Sequence, residues 1–184
     1  MRQHGMDWPV AVLDYEASSL DPELSYPIEI GIALWRGPAS PILVWGSLIS
    51  PAPSWVRDGI WTDTAQKVHG ISPTDLAGAP SPADVLRRAN AMLDGTPSVI
   101  SDNPWWEGFW TERLQSAAGT CATFVVDALR DRLAGLRRSQ RETMAAHLEA
   151  RPRPHRAGDD AARLIGALAE GLGIEPSVKT VEID

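Results

Sequence analysis

The spacing of apolar and polar positions changes along the chain, and each spacing assigns an element. Residues 9–13 (PVAVL) are a short apolar run rich in valine and bounded by polar residues, the pattern of a buried strand. Asp14 and Glu16 stand at its end. Two longer runs, 28–35 (IEIGIALW) and 42–49 (ILVWGSLI), are divided by Arg36-Gly37-Pro38, a turn signal that predicts a hairpin-linked pair of strands. Residues 62–69 predict a short helix closed by Gly70, and Ser81-Pro82-Ala83 opens another, with serine at the cap and proline in the first turn, reaching about Leu93. A fourth strand is predicted at 98–101. It is followed by a helix over 104–118 on which Trp106, Glu107, Trp110 and Leu114 share one side. A fifth strand is predicted at 123–126, and 127–150 reads as helical with a break near Gly135. A last helix begins near Ala157, with Ala161, Leu164, Ile165 and Leu168 on one face and Asp160 at the edge of that face. Strands come first and alternate with helices later, so the class is α/β. Residues 1–174 are expected to form a single domain, with 175–184 a short, loosely ordered tail.

Composition narrows the setting. A length of 184 residues suits one domain with a core of its own, and 43% apolar residues with scattered glycine and proline exclude disordered and fibrous classes. Cys121 stands alone, so there is no internal disulfide, and no Cys/His cluster has the spacing of a structural zinc site. A reducing, intracellular setting follows. The apolar run before Asp14 is too short for a signal-peptide core or a membrane span, and the expected location is the cytoplasm. A formal net charge of -7 argues against non-specific coating of DNA or RNA. It does not argue against carboxylates neutralised by metal, with contacts confined to a few terminal nucleotides.

The candidate chemistry lies in three separated segments. In Asp14-Tyr15-Glu16, the period of two along a strand points both carboxylates to the same side, where they repel one another unless a cation intervenes. Hard oxygen ligands of this kind suit Mg²⁺ or Mn²⁺. Taken alone, the pair also reads as a polar strand end capping the next turn. Glu107 sits in the first turn of a helix, where the helix dipole favours an acid in any case. His155 precedes a helix and Asp160 lies in its first turns, so a base and a metal ligand could converge there. By themselves, they are also a loop histidine and a favourable helix-start charge.

Order and spacing taken together carry more. Asp14 and Glu16, then Asn103 with Glu107 four residues on, then His155-x-Ala157-x-x-Asp160 resemble the DEDDh family of 3′-to-5′ exonucleases, which contains ribonuclease T, oligoribonuclease and the bacterial polymerase proofreading subunit. Leu20, the segment Tyr26-Pro27-Ile28-Glu29-Ile30-Gly31 and the segment Val68-His69-Gly70-Ile71-Ser72 look like further family features, and the resemblance spans roughly 10–168. It implies a ribonuclease H-like fold, a mixed five-stranded sheet with helices on both sides. It also implies two Mg²⁺ or Mn²⁺ ions per site, held by Asp14, Glu16, Glu107 and Asp160, with His155 as general base. Tyr15, Ala17, Leu20 and Asn103 would contact the terminal nucleotide. The expected reaction is release of nucleoside 5′-monophosphates from single-stranded DNA or RNA. The expected partners are a nucleic-acid 3′ end and, as assembly, a homodimer, with no membrane. Two positions depart from the family pattern: Glu107 stands where Asp is usual, and Ala17-Ser18-Ser19 where Thr-Thr-Gly is common. Asp102 is a substitute ligand to weigh against Glu107. The alternatives are a weak or inactive ribonuclease H-like nucleic-acid-binding module, and a phosphodiesterase of small nucleotides.

Overall fold

The valine-rich run forms the centre of the sheet and extends further than its apolar residues. In a computed structural model of the chain, described over residues 2–3 and 6–184, short strands β1 (Arg2–Gln3) and β2 (Met6–Asp7) pair with each other. Strand β3 (Val10–Ala17) carries Asp14 and Glu16 within its length rather than beyond its end. It pairs antiparallel with β4 (Pro27–Trp35), which pairs antiparallel with β5 (Ile42–Leu48), the expected hairpin. Helices α1 (Pro53–Asp58), α2 (Asp63–His69) and α3 (Pro82–Met92) follow. Strand β6 (Ser98–Ser101) then runs parallel to β3 and leads into α4 (Pro104–Ala118). The remainder is β7 (Val125–Ala128), α5 (Leu129–Leu133), α6 (Arg138–Glu149), α7 (Ala157–Leu172) and β8 (Val178–Thr180).

The main sheet has six strands in the order β7-β6-β3-β4-β5-β8, one more than the sequence implied. The additional strand comes from the segment read as a loose tail: β8 lies parallel to β5, with Val178 opposite Ile42. All three β8 residues are exposed, so no burial pattern announces the strand. The segment read as helical from 127 begins instead as the end of β7, and helix resumes in α5 and α6 on either side of the expected break.

Helices cover both faces of the sheet, and strand alternation decides which side chains meet which helix. Ala11, Leu13 and Tyr15 of β3 and Ile28, Ile30 and Ile32 of β4 pack with α3 and α4 in one core. Val10, Val12, Ala33 and Trp35 pack with α6 and α7 in the other. By the period of two, Asp14 and Glu16 continue the face that looks towards α7, and so do Glu29 and Gly31, which stand opposite Glu16 and Asp14 in the register. Helix α7 presses onto this stripe. A Cβ on Gly31 would lie 2.0 Å from the Ala157 carbonyl carbon and 2.2 Å from the Gly158 nitrogen, so only glycine admits the helix start at this depth. Among the described residues, no helix is long and apolar enough to cross a membrane.

Candidate active site

Three elements deliver the acids. The central strand β3 carries Asp14, only 5% exposed, and the half-buried Glu16. Helix α4 begins where β6 ends, and Glu107 in its first turn is 4% exposed. Two hydroxyls fix this turn against β3. Thr111 Oγ1 donates to the Glu107 carbonyl at 2.7 Å, and the Tyr15 hydroxyl lies 3.3 Å from Thr111 Oγ1. Helix α7 contributes Asp160, 5% exposed.

The start of α7 has no cap from its own Arg156 side chain. The sheet supplies one: Glu29 Oε2 accepts the Ala157 N–H at 3.0 Å, satisfying a donor that has no partner within the helix. The same carboxylate takes Arg156 Nε at 3.1 Å to each oxygen and Arg156 Nη2 at 2.5 Å to Oε1. Glu29 therefore anchors the turn that carries His155 and Asp160. Just before this anchor, His155 is the one non-glycine residue with positive φ among the described residues, at 57°. That backbone conformation is disfavoured for a residue with a Cβ and persists where the surroundings enforce it.

Potential ligand atoms of Glu16, His155 and Asp160 all lie within 4.8 Å of one another. Asp14, Glu16, Glu107 and His155 line a single cleft of about 700 Å³. Asp160 touches it through Arg153, whose Nε is 3.3 Å from Asp160 Oδ1 and whose Nη2 is 2.9 Å from Asp14 Oδ1. The positions expected to meet substrate, Tyr15, Ala17, Leu20 and Asn103, line the same cleft in different ways. Leu20 is 71% exposed at its mouth, whereas the Tyr15 ring is buried against Trp110. Asp102 also lines the cleft, but exposed, while Glu107 is buried.

Burial and mutual repulsion dominate the electrostatics. Burial raises the Asp14 carboxyl to about 7, against the opposing pull of Arg153 and with a further push from Asp160. Burial, then the neighbouring Asp14 and Asp160, raise Glu16 to about 8. Glu107 is pushed well above the usual carboxylate range by burial and by Asp14, and Asp160 is raised by burial against Arg153 and His155. Crowded, desolvated carboxylates of this kind favour either protons or a cation. Asp14 Oδ2, Glu107 Oε2 and Asp160 Oδ2 are buried with no hydrogen-bond partner among the described residues. Unpaired hard oxygen donors from three elements fit a divalent cation.

Of three further cleft residues, Arg153 has no role in the sequence reading, His69 enters it only within the family-like segment 68–72, and Trp106 only as a neighbour of Glu107 on its helix. Arg153 lies in a segment without periodicity, and its nearness to His155 was the only available signal. Trp106 stacks on Trp110 at 5.0 Å and 20°. His69, at the end of α2, is 5% exposed, and its Nδ1 accepts the Ile71 N–H at 3.0 Å. Burial lowers its pKa, against the opposing pull of Glu29.

No protein-family model and no curated protein matches the chain. Solved structures do. The zinc-bound complex of E. coli exonuclease I with single-stranded DNA aligns at a TM-score of 0.63 and 15% identity, over 89% of this chain and 40% of that one. The complex of E. coli exonuclease I with a dA16 oligonucleotide aligns at 0.61 and 16%, over 89% and 41%. A moderately thermophilic exonuclease I from Methylocaldum szegediense aligns at 0.62 and 16%, over 89% and 40%. The chain thus spans about two fifths of the length of these proteins. At such identity the likeness is one of architecture, and the chain has the ribonuclease H-like fold.

Proposed function

We propose that the chain is a metal-dependent 3′-to-5′ exonuclease that shortens single-stranded DNA or RNA and releases nucleoside 5′-monophosphates. The observation that carries this reading is the convergence of Asp14, Glu16, Glu107 and His155 on one open cleft, with Asp160 joined to it through Arg153. Asp14, Glu16, Glu107 and Asp160 are the residues that would hold Mg²⁺ or Mn²⁺, two ions in all. Bound there, such ions supply Lewis-acid stabilisation of the phosphate charge and make the attacking water more acidic.

The chain's own groups do the rest. His155 reaches the acidic cluster from a loop and takes the proton of the attacking water, a task suited to imidazole because its ordinary pKa lies near neutrality. Glu29 keeps His155 and Asp160 in register with β3 through its bonds to Arg156 and Ala157. Leu20 and Trp106 offer apolar surface on the walls for a terminal base. Neighbours of the same fold include complexes with single-stranded oligonucleotides, which supports an unpaired strand as substrate. Glu107 reaches one methylene further than the family's Asp, and its buried, unpartnered Oε2 supports a ligand role.

The test is incubation of 5′-labelled single-stranded DNA and RNA with the full chain and Mg²⁺ or Mn²⁺, beside Asp14→Ala. Stepwise shortening that depends on metal and on Asp14 is the expected result. Binding without shortening would overturn it in favour of a non-cutting module. Hydrolysis of small phosphodiesters alone would move the substrate to that class. Cleavage that requires a 2′-hydroxyl would assign RNA.

A further inference from the structure

Arg153 places its guanidinium between the two acids that α7 and β3 bring together. Nη2 donates to Asp14 Oδ1 at 2.9 Å, and Nε lies 3.3 Å from Asp160 Oδ1. Both carboxylates are almost wholly buried, while the Arg153 side chain is 44% exposed. Asp102 and Glu16 are the other acids whose charge acts on it. We propose that Arg153 is an internal cation that holds the acidic cluster together in the metal-free protein and competes with divalent ions for Asp14 and Asp160. The inference rests on the reading of that cluster as a divalent-cation site.

Competition follows from charge and from the oxygens involved. A guanidinium bonded to Asp14 Oδ1 and paired with Asp160 Oδ1 engages one oxygen on each of the two carboxylates whose remaining oxygens would hold a shared cation. A divalent ion on the same carboxylates would meet a full positive charge at close range with little water to screen it. One of the two must leave, and Arg153 is built to do so. It stands between Pro152 and Pro154 in a segment outside helix and strand, with all three residues exposed. Its departure into solvent breaks its bonds to Asp14 and Asp160 and no helix or strand hydrogen bond. The acids cannot follow, because Asp14 lies in the central strand and Asp160 in a helix seated against Gly31.

The sign of the effect separates this role from general damage, since removing a competitor tightens metal binding whereas disturbing a ligand set weakens it. Mn²⁺ titration of the full chain by calorimetry, at fixed ionic strength, is expected to show Arg153→Ala binding about tenfold more tightly than the unmodified protein, with Arg153→Lys in between. In EDTA, Arg153→Ala is expected to unfold at a lower temperature, and saturating Mn²⁺ should close the gap. Equal or weaker Mn²⁺ affinity in Arg153→Ala overturns the proposal and leaves the metal site standing. No Mn²⁺ binding by either protein overturns both. A measurement on the unmodified chain removes dependence on a variant: the Arg153 Nε–H resonance should shift and exchange faster with water as Mg²⁺ is added. A resonance unmoved at Mg²⁺ saturation overturns the competition.

Discussion

Glu29 and Arg156, 127 positions apart, tie the second long strand to the last helix through a guanidinium that meets both carboxylate oxygens at 3.1 Å. The same carboxylate receives the Ala157 N–H, so one acid from the sheet serves as an ion-pair partner and as a helix cap. Glu29→Ala would leave a buried N–H without an acceptor while Arg156 returns to water. The expected cost is about 1–3 kcal/mol of stability, read by urea unfolding. Nuclease activity should fall further than the stability loss explains, because His155 and Asp160 flank the released turn. Unchanged unfolding in Glu29→Ala would refute the capping role.

Gly31 and Gly46 form a matched pair for testing how closely α7 is seated. A Cβ on Gly31 meets the Ala157 and Gly158 backbone at 2.0–2.2 Å, whereas one on Gly46 finds nothing nearer than 3.6 Å. Gly31→Ala is expected to lose about 3 kcal/mol or more, since neither backbone can yield without moving the helix. Gly46→Ala should change stability by less than about 1 kcal/mol. Chemical denaturation of the two variants side by side gives the comparison, and equal losses would contradict the close seating of the helix.

The crowded acids make stability depend on pH in a direction that can be stated. Asp14 is raised from an ordinary 3.8 to about 7, and Glu16 from 4.5 to about 8, in both cases chiefly by burial. An acid whose pKa is higher folded than unfolded holds its proton more tightly in the native state. The stability it contributes is full below the ordinary value and lost as pH rises through the folded one. The metal-free protein should therefore melt at a lower temperature at about pH 9 than at about pH 5. Asp14→Asn should flatten this slope, and Mn²⁺ should raise the melting temperature most at the alkaline end. A melting temperature in EDTA that rises across the window would reverse the assignment.

His155 and Glu107 should separate chemistry from stability. His155→Asn is expected to slow cleavage by about 10²–10⁴-fold while leaving oligonucleotide binding in place. Glu107→Ala should abolish cleavage, yet the metal-free protein should be no less stable, because the change removes a buried carboxylate with an unpartnered oxygen. Single-turnover rates and thermal melts on the same preparations read both effects.

Trp106 is the wall residue best placed to hold a base, half-buried and stacked on Trp110. Trp106→Ala should weaken binding of a short single-stranded oligonucleotide by about 1–3 kcal/mol, measured by fluorescence anisotropy in EDTA. Trp105, exposed beside it, provides the control for a general loss of aromatic surface.

The elements legible in the sequence are those whose signal is local. Helix α3 follows from Ser81, whose Oγ accepts the Asp84 N–H at 3.2 Å, and β4 follows from an apolar run that is buried along its whole length. Strand β8 was illegible because its residues are exposed and its order comes from pairing with β5, more than 130 residues earlier in the chain. Helix α1 was missed for a similar reason, since of its six residues only Trp55 is buried. At the site, Asp14, Glu16, His155 and Asp160 could be picked out by spacing and order. The structure brings these and Glu107 to one place. Glu29 carried a readable signal, a charge inside an otherwise apolar strand, but its partner Arg156 could be assigned only once β4 and α7 were packed. Arg153 had no signal of its own, because its contacts depend on how an irregular segment lies across the cleft.

The seating of α7 in the notch at Gly31 also sets an order in time. Chains emerge from the ribosome amino end first, so Asp14 and Glu16 are exposed long before His155 and Asp160 have been synthesised. Until the last helix reaches the sheet, Asp14 and Glu16 have neither His155 nor Asp160 beside them. On the proposed exonuclease reading, this order of assembly leaves the site incomplete until the last helix is in place.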